Sequence, residues 1–249
     1  MANRVPSRFS GMFYTPGFPP GVKWLLISNI AIFILGYFFG LLDIDRLFKY
    51  FPLSPYEVLH YGLIWQLATY MFLHGGFGHI IWNMLALWMF GADLEKTWGT
   101  LRFLKFYFFC GIGAGICVVL FNYLLPWGSA YSHTIGSSGA IFGILMACAL
   151  LFPDRTILWG FLIPIKMKYF VMIIGAIAFL SSFQVNSGVS ELAHLGGLLF
   201  GYIYVRGPRF QFDPLASLEG AYKRWKLQRA KKKFQVYLRK QGPGDPRVH

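Results

Sequence analysis

Six apolar runs, separated by short connections, dominate this 249-residue sequence. Apolar residues make up 56% of the chain and charged residues only 13%, and the runs are too long and unbroken for a soluble core. A helix can cross a bilayer because its backbone hydrogen bonds are all internal. The pattern therefore predicts an all-α membrane protein with six transmembrane helices in one bundle. The runs cover residues 24–42, 78–92, 101–124, 137–152, 167–183 and 191–205.

The connections between the runs differ in charge, and this difference predicts their sides of the membrane. Cytoplasmic loops carry an excess of Lys and Arg. The connections 125–136 and 184–190 contain neither, so we expect them outside and both termini in the cytoplasm. Several runs are shorter than the ~20 residues that usually span a bilayer, which predicts local thinning or burial inside the bundle. Basic residues that follow the second and fourth runs are Lys96, Arg102, Lys105, Arg155, Lys166 and Lys168.

Composition divides the chain into three parts: a leader at 1–22, a transmembrane domain at 23–206 and a basic tail at 207–249. No small-residue cleavage site follows the first apolar run, so we interpret the leader as a cytoplasmic segment rather than a signal peptide. The leader also lacks an organelle-targeting character. We therefore predict an integral multi-pass protein of a bacterial inner membrane.

The tail alternates basic and apolar residues, and two interpretations of it stay open. It is either a basic helix held against anionic lipid, at ~1 kcal/mol per basic residue, or a solvated positive tail. Nucleic acid is not an expected partner, because the rest of the chain lies in the membrane. The basic residues at its centre are Lys223, Arg224, Lys226, Arg229, Lys231, Lys232 and Lys233.

The first outer connection, 43–77, is long and rich in Trp and Tyr, but prolines and glycines interrupt it. Aromatic residues of this kind concentrate at the membrane–water interface. We expect short helices that are partly embedded in the outer interface rather than a seventh span.

Four polar side chains lie within the first two turns of the second, fourth and sixth runs. They are His79, Asn83, Ser138 and His194. In the predicted topology these three runs all start on the outer side, so the four side chains share one depth. A hydroxyl and an imidazole are costly to place in hydrocarbon, and chemistry is the leading explanation for them.

Each of these residues has a definable chemical role. A serine hydroxyl becomes a useful nucleophile when a base takes its proton, and neutral His194 suits that task. His79 and Asn83 are four residues apart, so on a helix they can direct N–H donors at a single oxyanion. Ser138 opens its helix, where the first backbone N–H groups lack intrahelical partners and add a further donor.

Small residues predict close contact between the fourth and sixth runs. Gly139 and Gly143 form a small-xxx-small pattern, and Gly197 and Gly201 repeat it on the sixth run. Backbones lined in this way approach closely enough for Ser138 to reach His194. Phe142, one turn after Ser138, is placed either to stack on the imidazole or to pack as an ordinary core residue.

These residues resemble the rhomboid family of intramembrane serine proteases. The family pattern has His-xxx-Asn on the second span, Gly-x-Ser-Gly on the fourth and Ala-His-x-x-Gly-xxx-Gly on the sixth. The matching positions run in order over nearly the whole membrane region. They are Trp65, His74, His79, Asn83, Glu95, Gly99, Phe103, Gly136, Ser138, Gly139, His194, Gly197 and Gly201.

The resemblance implies a Ser138–His194 dyad without an acidic third member, an oxyanion site made by His79, Asn83 and the Ser138 backbone, and a structural role for His74. It implies hydrolysis of peptide bonds in single-span membrane proteins, near small residues and helix-weakening sequence, with no cofactor and no metal. It also implies that the 184–190 loop caps the site and that the fifth span lies beside the substrate entrance.

Two positions depart from the family pattern. Gln66 follows Trp65 where an arginine is common, so the anchoring of the first outer connection is expected to differ. Glu191 precedes His194 by three residues, where a neutral residue is usual. The carboxylate can favour a charged imidazole, or it can simply suit the positive end of its helix.

Structural explanations compete with the catalytic one at every position. Ser138 can serve as a small packing residue, His194 can bond a backbone carbonyl, and His79 and Asn83 can make interhelical hydrogen bonds. Among other functions, a rhomboid-like protein that binds client helices without cutting them is the main alternative, and a transporter is a weaker one. A zinc protease is not expected because His-Glu-x-x-His is missing. Cys110, Cys117 and Cys148 lie in apolar runs, so we expect them to be buried residues that fill space in the core.

Overall fold

The computed structural model describes residues 17–41, 49–124, 129–160, 162–182, 190–207 and 225–229. The protein is mostly helical, as its apolar runs predict. Its helices are α1 (Pro20–Leu41), α2 (Pro55–Tyr61), α3 (Gln66–Thr69), α4 (Phe77–Ala86), α5 (Ala92–Trp98), α6 (Thr100–Leu124), α7 (Ser138–Leu151), α8 (Met167–Ser181) and α9 (Ser190–Arg206). A hairpin of β1 (Thr156–Trp159) and β2 (Ile163–Lys166) separates α7 from α8.

The second apolar run continues further than its composition predicts. The helix passes from α4 through a π-helical turn, Leu87–Gly91, into α5, which ends at Trp98. Charged residues end the apolar run in the sequence, yet here they are partnered. Asp93 forms an ion pair with Arg155, and Glu95 is only 2% exposed.

Glu95 joins the start of α1 to the end of the second run. Its two carboxylate oxygens accept hydrogen bonds from the backbone N–H groups of Gly21 and Val22, each at 2.7 Å. Thr100 Oγ1 donates a third hydrogen bond at 2.6 Å. A helix N-terminus has unpaired N–H groups and a positive dipole end, so a buried carboxylate satisfies both. This contact also explains why α1 begins at Pro20, inside the segment assigned to the leader.

The described part of the first outer connection contains α2, α3 and a 3-10 turn, Tyr70–Phe72. Ser54 caps α2 by accepting a hydrogen bond from the Glu57 N–H, and Gly62 ends that helix with φ 67°. The connection therefore holds short helices, while its embedding in the membrane interface stays a prediction.

Helices α6, α7 and α9 form the centre of the bundle. An ideal Cβ at Gly139 would lie 2.7 Å from the Cβ of Ala114 on α6, and one at Gly143 would lie 2.6 Å from the Cβ of Cys110. Side chains larger than hydrogen cannot occupy these positions without moving a helix. The three cysteines are buried in this region, as predicted for fillers.

Helices α7 and α9 touch through their backbones and run parallel. A Cβ at Gly197 would overlap the carbonyl oxygen of Gly139, and one at Gly201 would lie 2.7 Å from the carbonyl oxygen of Gly143. Both contacts advance by four residues in the same direction, which defines the parallel arrangement. Small residues allow this approach in a membrane, where close van der Waals packing holds helices together.

Two of the described helices are long and apolar enough to cross a membrane by length and composition, in the stretches Pro20–Phe38 and Thr100–Leu124. Helices α7 and α8 are apolar but shorter, with 14 and 15 residues. At 1.5 Å per residue, α7 is about 21 Å long, less than the ~30 Å of bilayer hydrocarbon. The number of spans stays a prediction.

Residues 207–249 form a separate unit from residues 1–206. Its described part is Gly207 and a helical stretch at 225–229, in which the Arg229 guanidinium lies 4.2 Å from the centre of the Trp225 ring. The two interpretations of the basic tail, and most of the leader, fall on residues outside the described ranges.

The α7–α9 contact predicts a specific cost for one added methyl group. Gly197→Ala places a Cβ against the Gly139 carbonyl, and overpacking of this kind costs about 1–3 kcal/mol. We expect a lower melting temperature for detergent-solubilised protein, measured by intrinsic tryptophan fluorescence. Gly36→Ala on α1 is the matched control, because among the described residues no heavy atom outside the adjoining backbone of α1 lies within 4 Å of its Cβ. Equal melting temperatures for the two variants would contradict the packing described here.

Candidate active site

Ser138 and His194 meet where α7 and α9 begin. His194 Nε2 lies 2.9 Å from Ser138 Oγ, a normal hydrogen-bond distance. The two residues come from helices whose backbones touch one turn further on, so this distance follows from the glycine packing. Both side chains are partly buried, and the His194 side chain is 17% exposed. The structure thus brings together the nucleophile and the base expected from the sequence.

Phe142 fixes the plane of the His194 ring. The two ring centres are 4.1 Å apart and the ring planes differ by 6°. Phe142 lies one turn after Ser138 on the same helix, so α7 supplies both the hydroxyl and the surface on which the imidazole rests. Of the two interpretations left open for Phe142, the geometry matches stacking on the imidazole.

His79 and Asn83 face the same space beside Gly136. An ideal Cβ at Gly136 would lie 2.7 Å from His79 Nε2 and 3.9 Å from Asn83 Nδ2. Gly136 has φ 118°, a backbone conformation that residues with a side chain rarely adopt. Glycine is therefore required here for both conformation and space, and it leaves a gap toward which two nitrogen donors converge.

One contact assigns the proton on His79. The Gly75 N–H points at His79 Nδ1 over 3.4 Å, so Nδ1 accepts. A neutral ring then carries its proton on Nε2, the nitrogen that faces Gly136. The N-cap of α7, Ser137, makes no side-chain cap hydrogen bond, so the first backbone N–H groups of α7 remain without a cap from it.

The first outer connection holds the segment that precedes Ser138. The Gly136 N–H donates to the Tyr70 carbonyl at 2.9 Å, and Tyr70 OH donates to the Gly111 carbonyl on α6 at 2.7 Å. Leu53 and Thr134 exchange two backbone hydrogen bonds at 3.0 and 2.9 Å. These partners of the segment that precedes Ser138 were not found from the sequence, because turn geometry leaves no periodic pattern.

His74 lies behind the site and contacts its supporting residues. Its Nε2 is 3.5 Å from Ser137 Oγ, and its ring centre is 5.0 Å from that of His79. Burial, with a smaller contribution from His79, lowers the pKa of His74 to about 4. The ring is therefore neutral at physiological pH, which fits a structural role.

Gln66 anchors the first outer connection in place of the arginine that the family pattern commonly has. Its side chain is fully buried. Gln66 Oε1 accepts from the Ser54 N–H at 3.0 Å, and Nε2 donates to Glu57 Oε2 at 2.5 Å and to the Tyr50 carbonyl at 3.3 Å. Trp65 Nε1 donates to the same Tyr50 carbonyl at 3.0 Å. A neutral amide thus links the two sides of this connection.

Glu191, in the first turn of α9, contacts the imidazole of His194. Its Oε2 is 3.3 Å from His194 Nδ1.

The expected cap at 184–190 lies outside the described residues apart from the backbone of Ser190. Within the part of the chain that the structure describes, no group of three or more His, Cys, Asp or Glu side chains is suited to hold a metal ion.

Comparison with known proteins identifies the family to which this chain belongs. The Rhomboid domain matches residues 61–207, which include Ser138, His194, His79, Asn83, Gly136, Phe142 and Glu191. The match covers more than half of the chain, so the protein belongs to the rhomboid family, whose members are embedded in membranes.

Several relatives are named as proteases. The chain is 38% identical over 141 residues to Rhomboid protease GluP of Bacillus subtilis (strain 168), covering 57% of this chain and 25% of that protein. It is 35% identical over 144 residues to Putative rhomboid protease YdcA of the same strain, covering 57% and 66%. It is 31% identical over 191 residues to Rhomboid protein 1, mitochondrial, of Saccharomyces cerevisiae (strain ATCC 204508 / S288c), covering 72% and 51%. The matched stretch thus spans a quarter to two thirds of these relatives.

Proposed function

We propose that the protein is an intramembrane serine endopeptidase in which Ser138 is the nucleophile and His194 the general base. The observation that carries the proposal is the 2.9 Å contact between Ser138 Oγ and His194 Nε2, in a rhomboid-family chain. The substrates proposed are single-span membrane proteins, cut in or near the transmembrane segment. No metal or cofactor has a role in this chemistry.

The first half of the reaction transfers an acyl group to Ser138. Ser138 Oγ attacks the carbonyl carbon of the scissile bond while its proton passes to His194 Nε2. The carbonyl oxygen becomes an oxyanion, which the N–H donors of His79, Asn83 and the α7 backbone stabilise. The C–N bond then breaks, and the proton on Nε2 passes to the leaving nitrogen.

The second half releases the acyl group by hydrolysis. A water molecule attacks the acyl carbon and gives one proton to His194 Nε2. The bond from carbon to Ser138 Oγ breaks, and the proton returns from Nε2 to Oγ. The products are a carboxylic acid and the regenerated hydroxyl, so protons and electron pairs balance over the cycle.

The membrane arrangement completes the proposal. We place six spans between residues 23 and 206 and both termini in the cytoplasm of a bacterial cell. Ser138, His194, His79 and Asn83 then lie just below the outer surface, and the first outer connection lies partly in the lipid interface. Membrane lipid is the other expected partner of the chain, through its basic tail at 207–249.

Removal of either reacting group will abolish cleavage. Purified protein in liposomes is expected to cut a single-span reporter with small residues near the outer end of its helix, as measured by gel mobility and mass spectrometry of the products. Ser138→Ala and His194→Ala are each expected to lower the rate by at least about 10³-fold without lowering the melting temperature.

Two matched variants control for nonspecific effects on this assay. Ser28→Ala removes a hydroxyl that donates to the Leu25 carbonyl of its own helix, and His133→Ala removes an exposed imidazole. Both are expected to cut at the wild-type rate. A wild type that cuts none of a panel of single-span reporters but binds them would replace this proposal with a client-binding, inactive rhomboid protein.

The oxyanion donors predict a loss of rate without a matching loss of stability. Asn83→Leu keeps the approximate volume and removes the amide donor, so kcat is expected to fall by about 10²–10³-fold. Asn122→Leu is the matched control, because Asn122 is buried to the same degree, 7% exposed. It donates to the Val118 carbonyl in its own helix and accepts from the Ser129 N–H. If Asn83→Leu loses stability but retains kcat in the folded fraction, Asn83 only holds helices together.

A further inference from the structure

The imidazole of His194 is held on three sides. Nε2 faces Ser138 Oγ at 2.9 Å, the ring face stacks on Phe142, and Nδ1 faces Glu191 Oε2 at 3.3 Å. Glu191 lies in the first turn of α9, three residues before His194, so both side chains project from the same side of that helix. Their side chains are 25% and 17% exposed, which limits screening by water.

The Ser138 contact determines what Nδ1 must do. For Nε2 to receive the serine proton it must hold a lone pair, so the single proton of the neutral ring lies on Nδ1. That N–H points at a carboxylate, which is an acceptor only. The contact with Glu191 therefore selects the tautomer that the Ser138 contact requires.

We propose that Glu191 is a positioning residue that completes a Ser138–His194–Glu191 triad in this protein. The inference rests on the proposed function of the Ser138–His194 pair. When the serine proton moves to Nε2, the ring carries a positive charge beside the Glu191 carboxylate, and this pairing stabilises the charged ring. The carboxylate itself keeps no proton during the cycle, as in other serine–histidine–carboxylate sites.

The charges around His194 agree with this assignment. The α7 residues that contact the His194 ring are Ser138 and Phe142, and neither is charged. His79 on α4 is a titratable neighbour of His194, and the Gly75 N–H contact at its Nδ1 is that of a neutral ring. Glu191 is the acidic group that contacts the ring among the described residues. If Glu191 served only to interact with the positive end of the α9 dipole, its carboxylate would not need to contact His194 Nδ1.

The experiment compares Glu191→Gln, Glu191→Asp and Glu191→Leu in the reporter assay. Glu191→Gln and Glu191→Leu are expected to lower kcat by at least about 10-fold with KM unchanged, since removal of the carboxylate from a serine–histidine–carboxylate site lowers kcat by up to about 10⁴-fold. Glu191→Asp keeps the charge and is expected to recover part of that loss. A residue that only stabilises α9 would change the melting temperature and leave kcat of the folded protein intact.

A spectroscopic readout tests the contact independently of turnover. In protein labelled with nitrogen-15 histidine, the His194 signals are those lost in His194→Ala. Wild type is expected to show an Nδ1–H tautomer with a proton resonance shifted downfield by the carboxylate, and Glu191→Leu is expected to lose that shift. Identical His194 spectra and identical kcat in wild type and Glu191→Leu would overturn the triad while leaving the dyad intact. A wild type that cuts no reporter overturns the proposed function first.

Discussion

The contact between the backbones of α7 and α9 is the constraint on which the site depends. Gly197 faces the Gly139 carbonyl and Gly201 faces the Gly143 carbonyl, with no room for a side chain between them. Because the helices run parallel, this contact brings their N-terminal ends together. Ser138 opens one helix and His194 lies in the second turn of the other, so their separation is a consequence of helix packing rather than of loop geometry.

Two further elements close the site around that pair. Helix α4 brings His79 and Asn83 to the space beside Gly136, and the first outer connection holds Gly136 through the Tyr70 carbonyl. Tyr70 in turn is tied to α6, the helix that packs behind both Gly139 and Gly143. Ser138 and His194 thus lie on packed helices, while the hydrogen bond from the Gly136 N–H to the Tyr70 carbonyl holds the turn that precedes Ser138. Such a layout suits chemistry that depends on fixed donors aimed at a developing charge.

Periodic sequence patterns predicted the helices and the residues that share a helix face. Features that depend on a single side-chain contact were missed. The apolar runs indicated the helices to within a few residues, and the spacing of His79 and Asn83 placed them on one face. The end of the second run was misjudged because Asp93 and Glu95 look like loop residues until Arg155 and the start of α1 are seen beside them. The β1–β2 hairpin has no counterpart in the sequence-based interpretation. The sequence analysis identified Glu191 as unusual but left its role open. Whether its carboxylate faces the imidazole or only the helix N-terminus depends on a side-chain rotamer that spacing does not determine.

We propose that His194 activates Ser138, and covalent labelling measures this activation most directly. Protein in liposomes is treated with a serine-directed phosphonate, and the modified residue and its rate of formation are read by mass spectrometry. We expect one adduct, on Ser138, formed at least about 10²-fold more slowly in His194→Ala. An adduct on another residue, or equal rates at Ser138 with and without the imidazole, would contradict it.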